Sequence, residues 1–230
     1  MKEFIGQSVF FGVFITLLTY EVGSFIRKKT KLAICNPMLI SIIAIILFLL
    51  TFKIDYTVYY EGAKYISYLL TPATVALAVP LYEQFAKLKE NAVAIMAGLL
   101  AGVLTSLCSI LVMSKLAGLS HELYVTMLPK SITTAIGMGV SEELGGVVTI
   151  TIAIIVITGI FGNVFAEVIC NLFHVTDPVA KGIGIGSASH ALGTAKAMEI
   201  GEVEGAMSSL SVAVAGILTV IGASVFANFM

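Results

Sequence analysis

Residues 177–201 read DPVAKGIGIGSASHALGTAKAMEIG. Within that run, Gly186 to Gly201 alone carries a histidine, a lysine, a glutamate, two serines and a threonine. The flanks are different: Leu144–Ala166 and Gly205–Met230 contain no charged residue. A bilayer core about 30 Å thick is crossed by about 20 apolar helical residues. Ala33–Phe52 and Asn91–Ser114 also qualify, and Ile5–Phe25 qualifies with one charge, Glu21. Residues 177–201 therefore sit between spans, too polar for a plain span and too apolar for a loop. A cluster of glycines and polar groups at membrane depth frees backbone groups, which must be satisfied by neighbouring helices or by a water-filled cavity. The fold turns on how this stretch is accommodated.

Composition sets the class. The 230 residues are 58% hydrophobic and 12% charged, which is too apolar for a soluble domain of this size. The expectation is a single domain over residues 1–230, an all-α polytopic bundle of seven or eight membrane segments with broken or re-entrant half-helices. A net charge of −1 offers no field for nucleic acid. Cys35, Cys108 and Cys170 lie in apolar runs without metal-like spacing and read as packing residues. The N-terminal apolar run reads as a retained span rather than a signal peptide.

Two other segments are interrupted in the same way. Tyr65–Tyr82 contains Pro72 and Pro80, and Leu128–Gly146 reads LPKSITTAIGMGVSEELGG. Short, interrupted hydrophobic segments are the best sequence pointer to a transporter's binding site. At an offset of 60 residues, Thr134-Ala135 matches Thr194-Ala195, Glu142 matches Glu202 and Gly145 matches Gly205. This echo is what internal repeats of a broken segment followed by a full span would leave, inverted or parallel. Basic residues Arg27, Lys28, Lys29 and Lys31 in one loop, with Lys87 and Lys89 in another, place both loops in the cytoplasm. Tyr56, Tyr59, Tyr60 and Tyr65 then anchor in or beside the opposite loop.

Read as a continuous helix, residues 187–205 place Ser189, Gly193, Ala197, Gly201 and Gly205 on one small-residue stripe suited to close helix packing. Ser187, His190 and Thr194 fall on a neighbouring face. These hydroxyls and the imidazole either line a site for a small anion or serve as glue between helices. An intramembrane histidine favours the site, and it could couple transport to protons. Lys196 and Glu199, three apart, could pair locally. In Leu128–Gly146, Pro129 could open a helix with Ser131, Thr133 and Thr134 in its first turns; Lys130 either attracts an anion or snorkels to the interface. Thr71 and Thr74 flank Pro72 and either line the same cavity or satisfy carbonyls freed by a kink. Asn36 precedes Pro37 as a candidate helix cap. His121 and His174 fall in predicted loops, and Glu142 and Glu143 at an interface. No catalytic, metal-binding or nucleotide-binding motif occurs, so neither an enzyme nor a cofactor is expected.

Three long stretches, LLTPATVALAVPLYEQ (69–84), MLPKSITTAIGMGVSEELGG (127–146) and DPVAKGIGIGSASHALGTAKAMEIGEVEGAMSSL (177–210), resemble hallmark segments of the LrgB/CidB family. Asn36-Pro37 and Tyr59-x-x-Gly62 fit as well. Thr71 stands where that family usually has glycine, Ala135 where it often has proline, and Lys196 for its common arginine. The resemblance implies a multi-pass protein of the bacterial-type inner membrane. It implies two activities. One is antiholin-like control of murein hydrolases and autolysis beside a small LrgA/CidA-like membrane partner. The other is translocation of small monocarboxylates of the pyruvate, glycolate or glycerate class, as in the similar plastidal translocator. The candidate binding set for such an anion is Ser187, Ser189, His190, Thr194, Lys196, Thr71, Thr74, Ser131, Thr133 and Thr134. The small-residue stripes also permit a homo-oligomer.

Overall fold

A computed structural model describes residues 10–30, 35–69, 72, 75–76, 78–83 and 85–230. Every regular element among them is helical. The chain divides into two compact units, up to Ala76 and from Leu77 onward.

The first unit contains α1 (Phe11–Thr30), α2 (Pro37–Phe52) and α3 (Tyr56–Ser67). Asn36 caps α2 as its sequence promised: its side-chain oxygen accepts from the N–H groups of Met38 at 2.9 Å and Leu39 at 3.3 Å, with Pro37 in the first turn. Lys53, at φ 51°, closes the other end. Asn36→Ala is expected to cost about 1 kcal/mol, read as a lower unfolding midpoint in detergent. The tyrosines expected in or beside a loop stand instead on α3. Asp55 caps that helix through the Thr57 N–H, and this bond together with the Thr57 hydroxyl holds its carboxyl below the usual range. Gly12 lets α3 dock on α1, because a Cβ there would overlap the backbone of Tyr59 and Ala63. Thr71 and Thr74 lie outside the described residues.

The second unit opens with α4 (Ala78–Glu83) and α5 (Phe85–Glu90), followed by α6 (Ala92–Ala117). Then come α7 (His121–Met127), α8 (Thr134–Glu143), α9 (Val148–Leu172), α10 (Pro178–Ile200) and α11 (Glu202–Phe226), closed by a 3-10 turn at Ala227–Phe229. Among the described residues, three helices are long and apolar enough to cross a membrane: Ala92–Ala117, Val148–Leu172 and Glu202–Phe229, with mean hydropathies of 2.3, 2.3 and 2.2. The span expected over Ala33–Phe52 is described as the shorter apolar helix Pro37–Phe52.

α10 is not one rod. His190 adopts φ 45° and ψ −145°, and the helix breaks there into arms 178–189 and 191–200. The second arm folds back on the first. A Cβ on Gly193 would lie 3.0 Å from the carbonyl oxygen of Ile185, whereas eight residues of continuous helix would separate them by about 12 Å. Ile185 and Ala197, one from each arm, pack together with Ala166 of α9.

α7 and α8 form another hairpin around residues 128–133, the first of the two in chain order. Thr151 of α9 joins its arms: its hydroxyl donates to the Thr126 carbonyl at 2.9 Å and lies 2.7 Å from the Ser141 hydroxyl. Pro129 does not open α8. Lys130 N–H bonds the Met127 carbonyl and Ile132 N–H bonds the Pro129 carbonyl, so two tight turns delay the helix until Thr134. His121 likewise leaves its expected loop: Ser120 caps α7, and His121 is its first residue. Glu142 and Glu143 are exposed at the end of α8, where Gly145 at φ 79° reverses the chain. His174, at φ 56°, follows α9.

The hairpins enter from opposite ends. The first opens beside the end of α11, where the Tyr124 hydroxyl donates to the Phe226 carbonyl at 2.8 Å and His121 Nδ1 lies 2.7 Å from the Met230 oxygen. The second opens beside the start of α11, with Gly182 against Glu204, and beside the start of α6, where Asn91 and Asp177 line one groove. Helices α9 and α11, each 25 residues long, therefore run antiparallel. The echo at offset 60 is an inverted repeat of hairpin plus helix. Its register pairs Lys130 with His190, one at each tip.

Candidate functional site

Both tips converge on the middle of α9. The Ile155 carbonyl accepts a hydrogen bond from His190 Nε2 at 3.0 Å; a carbonyl only accepts, so this nitrogen carries a proton. On the other side the Ile155 side chain lies against Gly137 of α8, which itself abuts the Pro129 carbonyl of the first tip. The strained backbone at His190 belongs to a region that costs on the order of 1–3 kcal/mol for a residue other than glycine. Its surroundings compensate. Gly159 admits the imidazole, since a Cβ there would lie 2.6 Å from Cε1. Gly162 admits Ser189, and Asn163 Nδ2 donates to the Leu192 carbonyl at 2.6 Å.

The break also redistributes the polar face expected from helical spacing. Ser187, His190 and Thr194 do not share a face, because helical periodicity ends at residue 190. Ser187 faces α6, with its hydroxyl 3.3 Å from where a Gly102 Cβ would sit. His190 faces α9. Thr194, wholly buried, faces α11: its hydroxyl bonds the Ser208 hydroxyl at 2.8 Å and donates to the His190 carbonyl at 3.1 Å. Ser189 and Thr194 thus hold the hairpin in place.

A polar row runs along α6. Lys130 Nζ donates to the Ser131 hydroxyl at 2.9 Å, and that hydroxyl lies 3.4 Å from Ser106 of α6. Gly102, which faces Ser187, is one turn from Ser106, about 6 Å along the helix axis. A groove of about 350 Å³ leads to this row between α6 and the first arm of α10, with Asn91 and Asp177 at its mouth and Ser187 at its inner end. Thr133 and Thr134 begin α8 at the same tip; Thr133 is its N-cap and makes no side-chain capping bond. The first-turn N–H groups of a helix have no intrahelical partner, and they favour an anion. Small carboxylates match this combination of one ammonium, several hydroxyls and a helix start.

Lys196 is placed differently. It lies six residues beyond the tip, with Glu167 Oε2 at 3.1 Å and Glu199 Oε2 at 3.5 Å. The structure therefore brings Ser131, Thr133 and Thr134 to the first tip and Ser187, Ser189 and His190 to the second. Lys130, left undecided by the sequence, supplies the ammonium at the first tip. Ser106, Asn163 and Ser208 were not singled out by sequence reasoning. A signal existed for two of them: Gly98-x-x-x-Gly102-x-x-x-Ser106 is a small-residue stripe like that of α10, and Asn163 directly follows Gly159-x-x-Gly162.

Comparison with known proteins places this architecture. A family model described as the LrgB-like family matches residues 16–229. Proteins named "Antiholin-like protein LrgB" from Bacillus cereus (strain B4264) and Bacillus anthracis (strain A0248) are 34% identical to this chain over 222 residues, covering 96% of each partner in the alignment. No solved structure matches. With the family match spanning nearly the whole chain and three long helices apolar enough to cross a membrane, this protein is a membrane protein of the LrgB-like family.

Proposed function

We propose that the protein is a secondary transporter of small monocarboxylates, of the pyruvate, glycolate or glycerate class, in the inner membrane. One observation carries the reading: two helical hairpins enter from opposite ends and their tips converge on the middle of α9, with Lys130 at one tip and His190 at the other. Discontinuous helices from inverted repeats, meeting at mid-depth, suit binding followed by alternating access. Lys130 takes the carboxylate, beside the start of α8. Ser131, Ser106 and Ser187 address the oxygen on the second carbon. His190 is the group that carries a coupling proton. No covalent bond is made or broken.

Uptake of labelled pyruvate or glycolate by proteoliposomes tests this reading, with and without an inward proton gradient. Saturable uptake, accelerated by the gradient and reduced by His190→Gln, is expected. Absence of uptake both alone and with a small LrgA/CidA-like partner would sink the proposal. The names of the relatives favour a second reading, antiholin-like control of murein hydrolases. That reading requires variants that alter lysis while uptake stays intact.

A further inference from the structure

The hydroxyls of α11 divide into two kinds. Ser209, Ser211 and Ser224 donate back to carbonyls four residues earlier, at 2.9, 2.7 and 3.0 Å, and Ser208 bonds Thr194. Thr219 does neither. It is 5% exposed, and its hydroxyl has no hydrogen-bond partner among the described residues. A buried hydroxyl without a partner forfeits its hydration, so such a group marks a place that something else completes. Its neighbours fix what it faces. A Cβ on Gly216 would lie 3.3 Å from Ile136 Cδ1 of α8, and one on Gly222 would lie 2.6 Å from Leu107 Cδ1 of α6. Positions 216, 219 and 222 step round α11 by about 60° each. Thr219 therefore points between α8 and α6, where the first tip lies: Ser131 of that tip stands 3.4 Å from Ser106, the neighbour of Leu107. Ala215 and Ala223, about one turn to either side, pack in the core shared with Leu128 and Ile132, which flank Lys130. The inverted repeat points to the same place. Its offset of 60 pairs Gly222 with Gly162 and Thr219 with Gly159. Gly162 and Gly159 receive the second tip, the latter opposite His190. Their counterparts on α11 face the first tip, opposite Lys130.

We infer that Thr219 is a further substrate-binding residue, whose hydroxyl donates to the carboxylate held by Lys130. The inference rests on the transport reading of this site. Gly159 leaves room for an imidazole at the second tip, whereas Thr219 fills the equivalent space at the first with a hydroxyl. An ammonium from the hairpin and a hydroxyl from α11 address the two oxygens of one carboxylate, the group that pyruvate, glycolate and glycerate share. Because the hydroxyl is paired only when the anion is present, its bond contributes to binding and not to the stability of the empty protein.

Thr219→Val replaces the hydroxyl by a methyl of the same shape. In proteoliposomes it is expected to raise the half-saturation concentration for pyruvate and for glycolate alike by about 10-fold, at a similar maximal rate. Its unfolding midpoint in detergent should not fall, because no hydrogen bond within the protein is lost. Thr219→Ser keeps the hydroxyl and should stay within about threefold of wild type. Ser224→Ala, on the exposed side of the same helix, should change neither uptake nor midpoint. A wild-type half-saturation concentration in Thr219→Val overturns the inference, the hydroxyl then being completed by water alone. Equal losses in Thr219→Val and Thr219→Ser overturn it too, because they trace the effect to packing. Absence of uptake by the wild-type protein ends the transport reading and takes the inference with it, so the wild-type control tells the two failures apart.

Discussion

Replacing Lys130 by methionine is expected to reduce saturable monocarboxylate uptake in proteoliposomes by about 100-fold. A hydrogen bond to a charged group is worth about 1.5–3 kcal/mol, which converts to roughly 10- to 150-fold in binding. The upper part of that range applies because Lys130 is half-buried at a hairpin tip, where water screens it less than at a surface. Methionine keeps the length and apolar character of the stem, so the fold should survive, as an unchanged unfolding midpoint would show. Lys196→Met is the matched control. Its ammonium already faces two carboxylates, those of Glu167 and Glu199, which are themselves exposed and stay solvated without it, so uptake should fall by less than about threefold. If Lys130→Met transports normally while Lys196→Met does not, the carboxylate site belongs on the second arm of α10 and the assignment to the first tip is wrong.

Gly162→Ala is expected to lose about 3 kcal/mol of stability and most uptake, because overpacking a tight contact costs about 1–3 kcal/mol and this one cannot relax easily. The added Cβ would overlap both Cβ and Oγ of Ser189. Ser189 is buried and sits directly before the strained His190, so the tip must move away from α9. Such a shift would lengthen the bond from His190 to the Ile155 carbonyl and that from Asn163 to the Leu192 carbonyl. Gly184→Ala, whose Cβ meets nothing within 4 Å, should leave both stability and uptake unchanged. Adding Ser189→Gly to Gly162→Ala should recover part of the loss, a coupling that a double-mutant cycle measures directly. A Gly162→Ala protein with wild-type midpoint and uptake would show that the hairpin does not depend on this contact.

Much of the site could be read from sequence because its markers are local. Asn36-Pro37 announces a helix start, and the structure uses it as one. The polar interruptions at 128–146 and 177–201 announce breaks at membrane depth, and the tips lie within them. The match of Thr134-Ala135 to Thr194-Ala195 pointed to a repeat whose register pairs Lys130 with His190. What failed was periodicity carried across a break. Assigning Ser187, His190 and Thr194 to one face assumed 3.6 residues per turn throughout, and no residue type at position 190 warns against it. Histidine lacks glycine's backbone freedom, so its identity alone does not announce a positive φ.

The sequence by itself therefore determined the membrane class, the family and the places where helices are interrupted, since composition and breaker residues act within a few positions. Tertiary structure decided that the interrupted segments are hairpins, that they enter from opposite ends, and which hydroxyls pack rather than face the groove. The physical reason is that reversal at His190 is not a local preference. It is held by contacts from α9, namely the Ile155 carbonyl, the Asn163 amide and the space left by Gly159 and Gly162. Those groups lie 27 to 35 residues away in the chain and meet the tip only once the second hairpin has closed on α9.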